Sequence, residues 1–365
     1  MEGCWRGVLA VVAVAVCMFV AGGCSDATPD TSRGDPVEPV STTNPAAAFA
    51  PLIRLHPDDS SFPISVDRFL ERASLKWKNG EDCIALDDVA TGRIADRKTA
   101  APVPRLDAAH LGGRRAAYRR SPDRSCGQRD GAVYRSTDFT RPYDDGPRRA
   151  DLDIDEGFYL DLLSDSHDGD PAAGAREAGA IVDDVPAYYE RKVVSVGGRP
   201  GLRVTYWLLY GYSESHRAGN SPVLSHEGDW ERVHVLLERH DKRRWIPVEI
   251  GYDSPEARLR TVPWRALERS GSHPVLFSAR DSHTAYAWPG EHRRRVGIGD
   301  VDGDGDRDGV KTVLDEAPTC DDCPSWRTWG QLRPVRAQPW YGFGGGWGLA
   351  FETSETSGPL GPRPG

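Results

Sequence analysis

Two segments of this chain combine an alternating apolar pattern with charged or imidazole side chains at one end. They are Ser225–Glu238 (SHEGDWERVHVLLE) and His273–Gly290 (HPVLFSARDSHTAYAWPG). Alternation of this kind predicts strands with one buried face. If both strands stay extended, Asp229, Glu231 and His283 continue the buried faces. Charged groups there need partners, because burying them alone is costly. The partners can be one another, a nearby arginine or a metal ion.

The amino-acid composition limits the fold classes to which these strands can belong. The 365 residues include 39 glycines and 28 prolines, and long helical patterns are scarce. Such a chain favours short strands joined by many turns. We expect a mostly β fold, a β-sandwich-like domain with short helices and long loops. The formal net charge of -9 argues against nucleic acid as a partner, because phosphate binding needs clustered positive charge.

The N-terminus has the pattern of a bacterial lipoprotein. Residues 1–23 form a signal peptide whose apolar run, Gly7–Val20, is short for a transmembrane helix. Small residues precede Cys24, which we expect to carry fatty-acyl chains such as palmitate as the first mature residue. Residues 24–48 are expected to be a disordered tether, and residues 49–362 a single β-rich domain. The chain would then be anchored by lipid on the extracytoplasmic face of the cell membrane. The alternative is an ordinary signal peptide with an incidental cysteine.

An acidic segment, DVDGDGDRDG at residues 300–309, resembles a calcium-binding loop. Alternate carboxylates on a tight turn can converge on one hard cation, and glycine at the sixth position permits the turn. We expect a structural calcium ion held by Asp300, Asp302, Asp304, Asp306 (through its carbonyl) and Asp308. A second register runs from Asp304 to Asp315. The alternative is a disordered acidic turn.

Four cysteines remain after the signal peptide and Cys24 are set aside, and they allow three pairings. We favour Cys83–Cys126 and Cys320–Cys323, as expected for an exported protein. A redox motif or half of a zinc site are the alternatives for the second pair.

The two opening segments also carry a family resemblance. HEGDWE followed by ARDSHTAY resembles the vacuolar protein sorting-associated protein 62 family and its plant relatives of unknown function. Further matches follow in the family's order, namely APLIRLHPDDSSFPISVDRFL (50–70), TYWLLYGY (205–212), GGGWG (344–348) and GPLGP (358–362). The resemblance implies a fold more than an activity, because the family has no settled biochemical activity.

HEGDWE is also distantly similar to the heptad with which the necrosis-inducing protein family holds a divalent cation. That resemblance implies a second divalent metal at a central cluster of His226, Asp229, Glu231 and His283. Gly228 stands where the heptad has another histidine, so this chain offers fewer ligands. The alternative is a buried hydrogen-bonded network that locks two strands together.

Aromatic residues concentrate near the C-terminus, and most are expected to pack the core. Trp340 and Tyr341, beside a glycine run, are the candidates for an exposed platform that binds sugar or lipid headgroups.

Two functions follow from these observations. The first is a non-enzymatic surface protein that binds envelope glycan or lipid. The second is a metal-dependent hydrolase of envelope material, with His226, Asp229 and His283 as ligands and Glu231 as the catalytic general base. A water-accessible cluster favours the enzyme, and a sealed cluster favours the first function.

Overall fold

The structure of this chain is a computed structural model, and it describes part of the chain. The described residues are 37–59, 61–71, 73–79, 86–88, 117–120, 133–135, 156–162, 185–218, 221–252, 260–298, 309–343, 346–348 and 358–362. All of them belong to one compact unit, Asp35–Gly365. The predictions about Cys24, Cys83, Cys126 and the acidic loop at 300–308 lie outside the described residues.

The described chain is mostly β-strand, as the sequence predicts. The strands are β1 Val40–Ser41, β2 Leu52–Arg54, β3 Ala73–Asn79, β4 Leu86–Asp88, β5 Ala117–Arg120, β6 Val133–Arg135, β7 Glu156–Leu162, β8 Ala187–Val196, β9 Arg199–Ala218, β10 Ser221–Arg239, β11 Arg244–Tyr252, β12 Arg260–Pro263, β13 Arg269–Ser270, β14 His273–Ser278, β15 Ala285–Tyr286, β16 Gly290–Ile298, β17 Gly309–Ala317, β18 Ser325–Arg327 and β19 Leu332–Pro334. Two short α-helices, α1 (Pro45–Ala48) and α2 (Val66–Glu71), and two 3₁₀ turns (Trp264–Ala266 and Val335–Ala337) accompany them.

Two sheets build the sandwich-like core. The larger sheet has seven strands in the order β1-β11-β10-β9-β8-β19, with β12 paired to β11. The smaller sheet has five strands in the order β13-β14-β2-β18, with β15 paired to β14. One apolar cluster joins them, since it contains Val204 and Val235 from the larger sheet and Ile53 and Leu276 from the smaller sheet. The alternating apolar residues of β9 and β10 form the inner face of the larger sheet, which confirms the alternation predicted for β10.

The opposite face of β8, β9 and β10 carries a second, aromatic cluster. There Trp230 packs against Trp340 and Trp347, with ring centroids 5.6 and 5.2 Å apart. Trp340 is 1% exposed, so the prediction of an exposed platform at this residue is wrong. The glycine run beside it does not expose the indole, because Tyr188 and Trp347 pack on the ring edge to face. Tyr341 is half-buried and lies next to Arg336.

The folded region begins earlier than predicted. Composition predicts a disordered tether over residues 24–48, but β1 extends the larger sheet by pairing Val40 with Trp245. Helix α1 follows, with Asn44 accepting a hydrogen bond from the Ala47 amide as its N-cap. Ala46 and Phe49 are fully buried. A few apolar side chains thus dock an otherwise polar segment, which composition alone does not reveal.

The predicted disulfide Cys320–Cys323 is present, with Cα atoms 5.2 Å apart. It closes the turn between β17 and β18. The Cys323 carbonyl accepts a hydrogen bond from Ser325, and the next carbonyl, that of Pro324, accepts one from the Leu55 amide. The disulfide therefore holds the segment against which the end of β2 is fastened.

Candidate functional site

The predicted central residues Asp229 and His283 meet in the interior, together with a third residue, Asp59. His283 Nδ1 lies 2.9 Å from Asp229 Oδ2, and His283 Nε2 lies 3.3 Å from Asp59 Oδ1 and 3.1 Å from the Ser61 carbonyl. All three side chains are buried: Asp229 is 6% exposed, His283 1% and Asp59 8%. We call this group the buried triad. Its members come from β10, the loop after β14 and the loop after β2, so the triad joins the two sheets.

The contacts of His283 determine its protonation state. A carbonyl or a carboxylate oxygen can only accept a hydrogen bond, so both ring nitrogens must donate, which defines an imidazolium. Burial by itself lowers the pKa of His283. The charges of Asp59 and Asp229 and their hydrogen bonds to the ring outweigh burial and raise this pKa to about 10. The triad is therefore a buried cation between two carboxylates.

An aromatic ring covers the imidazolium. The Tyr210 ring stacks on His283 with a centroid separation of 4.0 Å and an interplanar angle of 8°. Tyr210 is itself buried, and its hydroxyl donates to Ser278 Oγ at 3.2 Å. Ser278 Oγ in turn lies 3.4 Å from the His283 carbonyl. The stack places a π face over a positive charge, an arrangement that stabilises both groups when water is excluded.

The loop that presents His283 does not continue the strand. Strand alternation predicts that the second segment stays extended through His283, but β14 ends at Ser278. Asp281 and His283 instead adopt left-handed backbone conformations, with φ of 62° and 51°. Side chains other than glycine adopt this conformation at a cost, and it persists where surrounding contacts hold it. His283 reaches the interior by this turn and not by strand alternation.

The other two members of the predicted cluster are not part of the triad. His226 is half-buried, and its Nδ1 donates to the Gly228 carbonyl at 3.1 Å. Glu231 lies on β10 opposite Leu208 and is partly exposed. Its charge helps to raise the pKa of Tyr210, after the larger effect of burial, so it lies near the triad without belonging to it.

Asp59 lies in the segment LHPDDSS but is not among the residues predicted for the central cluster. Asp59 Oδ1 also accepts a hydrogen bond from the Ser61 amide, a local turn typical of aspartate. That local pattern alone suggests a turn residue. Only the parallel pairing of β2 with β14 brings the Asp59 loop beside the His283 loop.

The HEGDW segment is held by a close backbone approach. Gly228 has a φ of 56°, and a Cβ at this position would collide with the Trp347 carbonyl. Gly348, with a φ of 152°, fits against the Glu227 carbonyl in the same way. The Trp347 amide donates to the Pro359 carbonyl at 2.9 Å. The glycine at the position of the heptad's other histidine is therefore required by packing, and no side chain fits there.

The triad is a poor match for the predicted second divalent metal. A doubly protonated His283 has no lone pair to offer, and a metal needs a neutral imidazole. Within the described ranges, no group of three or more His, Cys, Asp or Glu residues is arranged to hold a metal ion. The second metal stays a prediction.

A separate buried ion pair lies at the base of the hairpin β16–β17, which carries the acidic loop. Arg294 Nε lies 2.9 Å from Asp315 Oδ2, and the Tyr286 hydroxyl donates to the same oxygen at 2.6 Å. Asp315 lies well inside β17, opposite His292, while the hairpin pairing begins at Gly309. Asp315, which the second calcium register needs as a ligand, is thus engaged by Arg294 and Tyr286, and that register stays a prediction. The register of Asp300–Asp308 is untested.

Comparisons of the chain with protein-family models, with curated proteins and with solved structures returned no match. The resemblance described above therefore stays a prediction. Its motifs nonetheless meet in space: the quoted segments supply Asp59, Tyr210, Asp229 and His283, and the closing glycine segments pack beside Gly228.

Proposed function

We propose that this chain is a lipid-anchored protein of the bacterial cell envelope, whose β-rich domain binds envelope glycan or lipid without catalysing a reaction. The observation that supports the non-enzymatic role is the sealed triad. Its imidazolium is satisfied on both sides by protein acceptors and is covered by Tyr210. Buried charges arranged in this way stabilise a fold. A reacting group must instead be reached by substrate and water.

The alternative of a metal-dependent hydrolase needs a neutral His283 as a ligand, together with His226 and Asp229, and Glu231 as the general base. The two hydrogen bonds that His283 donates oppose this state of the ring. His226 is bonded to the Gly228 carbonyl and is not part of the triad. The arrangement thus supports the binding role better than the hydrolase.

Anchoring rests on Cys24 and the pattern that precedes it. Within the described residues, no helix is both long enough and apolar enough to cross a bilayer. We expect labelled palmitate to enter the full chain expressed in bacteria, and the chain to sediment with membranes. Cys24→Ala should abolish the label and release the protein, while Cys4→Ala should change neither. Labelling that persists in Cys24→Ala would contradict the anchor.

Calcium is the cofactor that we propose for the acidic loop. The ion would close the end of the hairpin β16–β17, whose strands pair from Gly290–Ala317 to Ile298–Gly309. Exported proteins meet enough calcium to fill weak loops, with dissociation constants on the order of 0.1–1 mM. Calorimetry should detect calcium binding to the full chain and its loss in Asp304→Asn/Asp308→Asn. No heat of binding at millimolar calcium would contradict the proposal.

A further inference from the structure

The outer face of the larger sheet carries like charges at directly opposed positions. Arg203 on β9 pairs with Lys192 on β8. Both side chains lie on the face away from the core, because the neighbouring residues Leu202 and Val204 are buried inside it. Opposed like charges destabilise a strand pair. An arrangement of this kind is explained most simply by a negative partner that binds between or beside the two cations.

The Arg203 guanidinium shows a second sign of a missing acceptor. Its Nε is buried, and within the described part of the chain it has no hydrogen-bond partner. Buried donors are almost always bonded, so an orphan donor calls for an explanation. Glu190, on the same face of the adjacent strand, is bonded to Arg336 at 3.3 Å. Glu238, also on this face and on the adjacent strand β10, is bonded to Arg199 at 2.6 Å. Glu249 lies on β11, two strands away from Arg203.

The middle of this face holds a neutral histidine between two arginines. His234 lies opposite Thr205, and its Nδ1 is 2.8 Å from the Thr205 hydroxyl. Burial lowers the pKa of His234, and the positive charges of Arg232 and Arg203 lower it further, to about 3. Arg232 lies over the Trp207 ring at 5.2 Å. Gly251 faces His234 from β11 and leaves the space beside the imidazole without a side chain.

We propose that this face, formed by Lys192, Arg203, Arg232 and His234, binds an oxyanion, either a phosphoryl group or the carboxylate of an acidic sugar. Both ligands offer the acceptor oxygens that a guanidinium matches best. Because Gly251 has no side chain, the anion would lie next to the imidazole, opposite this glycine. The inference deepens the proposed binding role by naming its ligand chemistry, and it does not depend on the anchor at Cys24.

The test is a titration of the full chain with inorganic phosphate and, separately, with glucuronate, at constant ionic strength. The ring signals of His234 are followed by NMR and assigned with His234→Gln. We expect a saturable shift with at least one anion, because the bound charge offsets the two guanidinium groups. A response to phosphate alone identifies phosphoryl ligands, and a response to glucuronate identifies acidic sugars.

Variants complete the test. Arg203→Gln should weaken binding by about 10-fold or more, the effect of removing one charge-assisted hydrogen bond. Arg243→Gln removes an equal charge from an exposed turn and should leave binding unchanged. If Arg203→Gln fails to fold, Lys192→Gln takes its place in the test. Lys192 is exposed, so its substitution does not disrupt the core, and it should also weaken binding. The absence of a saturable shift with either anion, or equal binding by the Lys192 and Arg243 variants, would overturn the proposal. The Cys24→Ala experiment tests the anchor independently of this result.

Discussion

His283→Gln lowers the free energy of unfolding by about 3–5 kcal/mol, the largest effect that we expect from a single side chain. The substitution removes the imidazolium and leaves Asp59 and Asp229 buried without their cation. Asp59 Oδ2 is already buried without a hydrogen-bond partner among the described residues, so the site has no spare donor. Chemical denaturation of the full chain, followed by tryptophan fluorescence, measures the effect.

The matched control for this variant is His240→Gln, at an exposed position after β10. We expect a change within about 0.5 kcal/mol there. Combining His283→Gln with Asp59→Asn should cost less than the sum of the two single substitutions, because Asp59→Asn removes a carboxylate that His283→Gln leaves unpaired. A His283→Gln protein as stable as the control would show that the triad does not hold the sheets together.

Gly228→Ala is the second substitution with a large expected effect. A Cβ here meets the Trp347 carbonyl and approaches Phe69, and a backbone carbonyl cannot rotate away as a side chain can. We expect a loss of about 3 kcal/mol or more, or failure to fold, from overpacking together with the strained φ of 56°. The same denaturation experiment measures the loss.

Gly271→Ala separates the two causes. Gly271 has a φ of 65°, close to that of Gly228, but no atom lies within 4 Å of a Cβ built there. Its substitution should cost only about 1 kcal/mol, the strain of the left-handed conformation. Equal losses in the two variants would mean that backbone strain, and not the approach of the Trp347 segment, makes Gly228 necessary.

These residues also show how far the sequence can predict the structure. Strand alternation identified the core face of β10 and placed Asp229 on that face, because a period of two survives in a long strand. The same rule placed His283 in the interior for the wrong reason. β14 stops after six residues, and a left-handed turn, which no local pattern indicates, brings the ring inward.

Long-range pairing explains what the sequence did not reveal. Asp59 joins the triad because β2 pairs with β14, and Trp340 is buried because Tyr188 and Trp347 surround it. β1 and α1 are ordered because Val40 pairs with Trp245 of the larger sheet and Ala46 packs in the main apolar cluster. Each outcome depends on at least one partner distant in sequence, whereas composition and periodicity report only on neighbours.

The central claim is that His283 is a buried imidazolium that stabilises the fold. In the folded chain its pKa is about 10, above the ordinary 6.5. The bound proton therefore stabilises the fold fully below pH 6.5, and this contribution is lost as the pH rises towards 10. An unfolding free energy that declines in this range for the natural chain, but not for His283→Gln, would agree with the claim.

The most direct measurement is the nitrogen NMR spectrum of the His283 ring, recorded from pH 6 to 10 with and without zinc. We predict two protonated ring nitrogens up to about pH 9, with signals that zinc does not change. A ring that loses its proton near its ordinary pKa, or a nitrogen signal that shifts on addition of zinc, would contradict the structural role and point instead to a metal site.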